Sequence, residues 1–490
     1  MTSTVLAPHE SRSSNRSSLE KPQPQKTARS GPTVIDEERQ FLIEELFFST
    51  TNQRGVIRHG NEVFARIAGI APEDLYGAPH SVIRHPDMPR VVFQLLWQTI
   101  ERGQTIAAYV KNLASDGRYY WVLAVVVPCD NGYLSVRLKP TSEMFGKVVE
   151  LYNQLRQIEA KIEVEPKQRQ AAMAASAQEL DRQLNQLGFA NYEAFMFEAL
   201  SAELTNRRKH LQEAAGNHFN KLCIELSDGS ANRGLYDSYR NCAAIDEQLQ
   251  TVFDRLDEFK SISVSLGSKS RRVLDSAHTI RMLAMNSAVA ANKLGTRADT
   301  LRVVSESLGT ISKDSSAVIS EMSSGLDFVV KLLNQLIFDV AATKLQSEIS
   351  LVSLNEILVG KTCFEDERTR ESMTILVDQL AIRVKSLFAH MRKTRTEMMQ
   401  LSRLIDNLDR NNRALRFVQF AGKKEATGWS EAKDFSVVLE DVPPQIATTK
   451  TQCEELDQAI KAVLGQIESL QSTQTELAER VDALKSWNHH

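Results

Sequence analysis

Six consecutive residues, Arg84-His85-Pro86-Asp87-Met88-Pro89, combine a guanidinium, an imidazole and a carboxylate with two prolines. Proline fixes its own φ and pushes the residue before it into an extended conformation, so His85 and Met88 are held extended. Arg84 offers a planar fork of donors suited to anionic groups. His85 has an ordinary pKa near working pH and can exchange a proton. Such a turn can present Arg84, His85 and Asp87 to a ligand. It can equally be a helix start, with Asp87 as cap and Pro89 at an early position before the apolar run Val91, Val92, Leu95, Leu96 and Ile100.

The elements around the hexapeptide are legible. Ile106 to Val110, Tyr119 to Val127 and Gly132 to Leu138 are short β-branched or aromatic runs, separated by Ser115-Asp116-Gly117 and Asp130-Asn131-Gly132. Both separators are turn sequences of the kind that joins antiparallel strands. Helical periodicity covers Asn61 to Ala68 and Arg90 to Arg102. A strand, helices and then a three-strand meander give an α+β fold, a five-stranded antiparallel sheet with helices on one face.

Ser49 to Pro140 resembles the sensory PAS module of bacterial aerotaxis receptors. The resemblance is carried by Ser49-Thr50-Thr51-Asn52, Gly55-Val56-Ile57, Asn61-Glu62-Val63-Phe64, Glu73-Asp74-Leu75-Tyr76-Gly77, Pro79-His80 and the hexapeptide. It continues through Trp97, Val110-Lys111-Asn112, Tyr120-Trp121 and Gly132-Tyr133-Leu134-Ser135-Val136-Arg137. The resemblance implies flavin adenine dinucleotide (FAD) as a redox-sensing cofactor, with Asn61, His80, Arg84, His85 and Asp87 at its site. The chain departs from the family at Ile106, where a tryptophan is usual.

Composition bounds the rest of the chain. At 490 residues it holds several units, and a net charge of −3 argues against a nucleic-acid-binding surface over the whole protein. Its five cysteines show no paired metal-ligand spacing. No run of apolar residues is long enough to span a bilayer, so a cytoplasmic protein is expected. Residues 1–34 are rich in Ser, Pro, Lys and Arg and read as a disordered tail. The sensor module is expected over 35–145 and a helical linker over 146–243.

No proline occurs between Pro166 and Pro443, and the intervening sequence is rich in helix formers. A three-four repeat runs through Ile245, Leu249, Val252, Leu256, Phe259, Ser263, Leu266, Ser270, Val273, Ala277, Ile280, Ala284 and Ser287. It resumes at Leu301, Val304, Leu308, Ile311, Ser315, Val318 and Met322. Two such seams flanking a break at Gly295-Thr296 predict a coiled-coil hairpin over 244–358, and two hairpins would make a four-helix bundle.

Leu283 to Gly295 resembles the signalling tip of methyl-accepting chemotaxis proteins, aligning without gaps to a tip pattern of Leu-Ala-Leu-Asn-Ala-Ala-Ile-Glu-Ala-Ala-Arg-Ala-Gly. That resemblance implies a chemotaxis adaptor and histidine kinase as partners, a homodimer, and Asn286, Val289, Lys293 and Val303 as contact residues. The family's tip glutamate is Ala290 here, and its return-arm glutamate is Ser307. A second echo lies within 359–490, where Arg416 to Ala426 and Phe435 to Val438 repeat Arg281 to Ala291 and Leu301 to Val304. Two hairpins in one chain would let a monomer build the bundle, though two amphipathic helices can also resemble each other by chance. No nucleotide-binding glycine loop or phospho-acceptor histidine with an ATP lid is present, so an enzyme is not expected. The reading is a sensory transducer coupling redox or oxygen sensing to motility. The alternative is a PAS-regulated interaction scaffold that no longer controls the kinase.

Overall fold

The computed structural model describes residues 32–214, 233–294, 299–360 and 366–488. Most of the expected tail and the Gly295-Thr296 break lie outside these residues. Five strands, β1 (Phe47–Asn52), β2 (Ile57–Gly60), β3 (Ile106–Leu113), β4 (Tyr119–Cys129) and β5 (Gly132–Leu138), form one antiparallel sheet in the order β2-β1-β5-β4-β3. Between β2 and β3 lie α1 (Glu62–Ala68), α2 (Pro72–Leu75), a 3-10 turn (His80–Ile83) and α3 (Arg90–Glu101). The β3–β4 turn needs Gly117, whose φ is 89° and where a Cβ would sit 2.0 Å from the Thr33 carbonyl oxygen.

β4 is apolar along nearly its whole length because both sheet faces are covered. Ala124 pairs with Arg137 and Val126 with Ser135, and these residues face the helices α1 to α3. Tyr109 and Trp121 face the other way, against α4 (Glu143–Ile162), where both rings pack on Phe145 at 5.9 and 5.4 Å. Two further helices, α5 (Arg169–Gln186) and α6 (Tyr192–Ala214), follow. The expected linker is therefore, up to Ala214, a second layer against the sheet, and from Arg233 it enters the helical region that follows. Tyr152 and Tyr192 join hydroxyls at 2.9 Å, and Glu203 of α6 accepts from Tyr109 (2.8 Å) and from the Ser142 hydroxyl and backbone N–H at the start of α4.

The remaining helices are α7 (Arg233–Phe253), α8 (Leu256–Lys293), α9 (Asp299–Leu358), α10 (Glu367–Ala426), α11 (Lys433–Glu440), α12 (Val442–Ser469) and α13 (Gln471–Asn488). They form an up-down four-helix bundle in which α7–α8, α9, α10 and α11–α13 are the four staves. At 60 residues each, α9 and α10 run about 90 Å at ~1.5 Å per residue. The predicted seams point inward: Ile245, Leu249, Phe259, Leu266, Leu301, Leu308, Ser315 and Met322 are all buried.

The two segments of the internal echo meet at the end of the bundle. Ile280 and Leu415, Ala291 and Ala426, Leu301 and Phe435, and Leu308 and Val442 occupy matching positions of the two hairpins and share one core at the tip. Close approach there depends on small residues. A Cβ on Gly422 would lie 2.7 Å from Val304 Cγ1, and the Ser287 and Ser305 hydroxyls meet at 3.1 Å. All four staves come from one chain, so a second chain is not required to close the bundle.

The sheet module packs beside the base of this bundle. Residues 340–350 of α9 are buried almost without interruption, since α6, α7, α10 and the sheet surround them. His59 of β2 meets Glu371 of α10 at 2.8 Å, and Arg383 donates to Thr105 at 3.1 Å. Within the bundle, His390 of α10 pairs with Asp339 of α9, whose carboxylate hydrogen bond raises the imidazole above its ordinary pKa. A raised histidine stabilises the fold fully below its unfolded value and loses that contribution as pH rises through the folded value. We expect His390→Gln to remove a stability component that the wild-type chain loses above pH ~6.5. Urea titrations between pH 6 and 9 read it, and parallel pH profiles of the two proteins would refute it. Partial exposure keeps the effect within about 1 kcal/mol.

Candidate functional site

Between the sheet face and α3 lies a cavity of about 230 Å³. Its walls are largely apolar: Phe93, Leu96, Trp97 and Ile100 from α3, and Val110, Ala124 and Val126 from the sheet. Polar groups enter from His80, Arg84, Asn112, Ser135 and Arg137. The Arg84 guanidinium lies 3.9 Å above the Phe93 ring, and its backbone bridges to Asn112. Burial lowers the Arg84 pKa, and Arg90 nearby adds to the effect. Arg137 donates to His80 Nε2 at 2.6 Å and to Ser49 Oγ at 2.9 Å. Burial, then the Arg137 charge, pushes His80 down to about 3, so its imidazole is a neutral acceptor.

Of the five sensor residues expected from sequence, His80 and Arg84 line this cavity, and three lie elsewhere. The Asn61 amide ties the chain ends of the sheet, accepting from Phe48 N at 3.3 Å and donating to Leu46 O at 3.1 Å. His85 is buried away from the cavity, edge-on to Tyr119, with Nδ1 accepting from Asp87 N at 3.1 Å. Burial and then Lys111 lower its pKa. Asp87 is exposed and pairs with Lys111 at 2.8 Å, which more than offsets burial and leaves its carboxyl below the usual range. His85 follows Arg84 on the opposite side of the chain, and a turn at Pro86-Asp87, closed by Met88 N donating to the His85 carbonyl at 3.2 Å, carries Asp87 outward.

Asp87 is not the cap of α3 either. Pro89 takes the N-cap position, and the N–H groups of Arg90 and Val91 donate instead to Glu159 of α4, at 2.8 and 3.0 Å. Glu159 is fully buried and also accepts from Ser176 at 2.9 Å. The helix that walls the cavity is thus held at its start by a carboxylate from the next layer.

Ile106, where a tryptophan was looked for, is buried in β3 and does not line the cavity; Phe93 and Trp97 supply its aromatic walls. Sequence reasoning alone does not single out Phe93, Asn112 or Arg137 as site residues. The available signal is an arginine set among Leu134, Val136 and Leu138 in a strand, a cation where an apolar side chain is expected.

Residues 57–135 match the family model described as PAS fold. This segment is a PAS domain. The chain is 34% identical to the aerotaxis receptor of Escherichia coli (strain K12) over 131 residues, 26% of each chain. The match therefore spans about a quarter of that relative's length. A blue-light activated histidine kinase of Erythrobacter litoralis aligns over 34% of this chain and 57% of its own at 11% identity, with a TM-score of 0.19, too low to carry an argument. No helix among the described residues is long and apolar enough to cross a membrane.

At the far end of the bundle, Asn286, Val289, Lys293 and Val303 are all exposed, Val289 by 57% and Val303 by 61%. The second hairpin presents Phe417 and Phe420 at the positions of Met282 and Met285, and Val437 at that of Val303. Ala290, the position of the family's tip glutamate, is turned into the bundle core.

Proposed function

We propose that this chain is a sensory transducer in which the PAS cavity binds a flavin and the bundle tip carries the output to a chemotaxis adaptor and its histidine kinase. The observation that carries the reading is the cavity itself: aromatic walls from α3, a cation at Arg84, and an Asn112 amide facing the space. At about 230 Å³ it is smaller than the ~300–1,000 Å³ usual for drug-sized ligands. It suits a fused ring, and the rest of a dinucleotide would lie outside it. A bound flavin supplies reversible electron uptake. The chain's own part is to seat the ligand between Trp97, Phe93 and the sheet, to donate hydrogen bonds from Arg84 and Asn112, and to exclude water.

Displacement of α3 reaches the bundle through named contacts. Glu159 joins α3 to α4, Glu203 joins the start of α4 to α6, and Arg207 of α6 lies 3.5 Å from Glu348 of α9. Two packings of the long staves are the states such a shift would bias. Flavin absorbance of the chain loaded with FAD tests the sensor half. We expect Arg84→Ala to weaken flavin retention about tenfold, ~1.4 kcal/mol, and His85→Ala to leave it nearly unchanged. Equal losses in both would place the ligand outside this cavity. Kinase activity in a reconstituted adaptor–kinase mixture tests the output half. The scaffold reading rests on Ala290 and Ser307, which remove two tip carboxylates; an unresponsive kinase would favour it.

A further inference from the structure

Three arginines, Arg54, Arg84 and Arg137, line the PAS cavity, and no carboxylate does. Arg54 is exposed and Arg84 is half-buried, but Arg137 is only 2% exposed. It stands on the sheet floor in register with Ala124 and Phe47. Its guanidinium is surrounded by neutral groups: Ser49 Oγ, His80 Nε2, the Ser135 carbonyl at 3.5 Å and the Phe64 ring at 5.1 Å. Among the described residues no carboxylate pairs with it. Burial lowers its pKa to about 10, which still leaves it charged at neutral pH.

A buried cation without a counter-ion is costly, and native folds keep one where something else supplies the charge. The Ser135 hydroxyl beside it is also buried without a partner. We infer that the PAS cavity is built for a ring-sized, largely apolar ligand carrying a negative charge, with Arg137 as the residue that binds that charge. The neutral His80 acceptor holds the guanidinium in place while no anion is present. This goes beyond the flavin reading and does not need it, since the charge balance belongs to the protein.

Two measurements on the full chain, freed of any bound ligand, test the assignment. Arg137→Met removes the unpaired charge at similar volume, so the unliganded variant should melt a few degrees higher than wild type, whereas Arg137→Lys should not. The fluorescent anion anilinonaphthalene sulfonate and its sulfonate-free analogue phenylnaphthylamine then probe binding. Wild type should prefer the anion at least tenfold, Arg137→Met should lose that preference, and Arg137→Lys should keep part of it. Dye bound at the exposed tip is common to all three proteins and cancels.

A lower melting temperature for Arg137→Met would make the arginine a folding element and overturn the inference. So would an absent anion preference in wild type, or one that survives Arg137→Met. Added FAD separates this idea from the previous one. Displacement of the anionic dye supports both, while failure to displace retires the flavin reading and leaves the anion site standing.

Discussion

Replacing Glu159 by alanine should lower the stability of the sensor layer by about 3 kcal/mol, counting ~1–3 kcal/mol for each buried group left unsatisfied. The carboxylate is fully buried and accepts from Arg90 N, Val91 N and Ser176 Oγ. Its removal strands two N–H groups in the first turn of α3, leaves the Ser176 hydroxyl with only the Met173 carbonyl at 3.2 Å, and opens a cavity between three helices. Glu159→Gln keeps an acceptor oxygen and should cost about half as much. Because α3 carries Phe93 and Trp97, the alanine variant should also loosen ligand retention, which the glutamine variant largely preserves. Urea denaturation followed by tryptophan fluorescence reads the first effect, since Trp97 and Trp121 both sit in the affected layer. An alanine variant as stable as wild type would show that solvent replaces the carboxylate and that α3 is not anchored through it.

Lys344→Met should destabilise the base of the bundle by ~3–5 kcal/mol, the usual result of removing one partner from a buried ionic group. Lys344 is buried and pairs with Asp246 of α7 at 2.7 Å and with Glu348 at 3.0 Å. Asp246 also accepts from Ser347 Oγ at 2.5 Å, and Arg207 lies 3.5 Å from Glu348. Burial holds the Asp246 carboxyl above its ordinary pKa despite Lys344, so without the ammonium it would be a buried acid with little to support its charge. Adding Asp246→Leu should recover at least half of the loss, because Glu348 keeps Arg207. The two carboxylates raise the Lys344 pKa against the opposing effect of burial. That contribution is fully present below the unfolded value of ~10.4 and is lost as pH rises through the folded value. Wild type should therefore lose stability above pH ~10 more steeply than the Lys344→Met variant. Additive single and double substitutions would show that the three groups do not act as one unit.

The strands and the long helices were legible because their signals are local. Tyr119 to Val127 is a β-branched and aromatic run ended by turn residues, and it becomes β4. The three-four spacing from Ile245 to Met322 is a property of neighbours on one helix face, and Ile245, Leu249, Phe259, Leu266, Leu301, Leu308 and Met322 on it are buried in the bundle. The echo between Arg281 and Arg416 was visible as sequence, but whether it meant a shared tip or chance depended on long-range packing. Only the fold brings Leu301 against the same core as Phe435.

The site divides along the same line. His80 and Arg84 could be found through the resemblance, whereas the turn at Pro86-Asp87 and the burial of His85 away from the cavity follow from how the chain packs. What the amino-acid order determined by itself is which segments are strand, turn and amphipathic helix, since these follow from spacings of a few residues. Tertiary structure alone decided that Glu159 caps a helix lying far earlier in the chain, that α4 to α6 form a layer instead of a tether, and that Arg137 faces a cavity without a carboxylate. Capping, burial and charge pairing depend on which groups share a space, and residues distant along the chain are brought together only when the sheet and the bundle close around them.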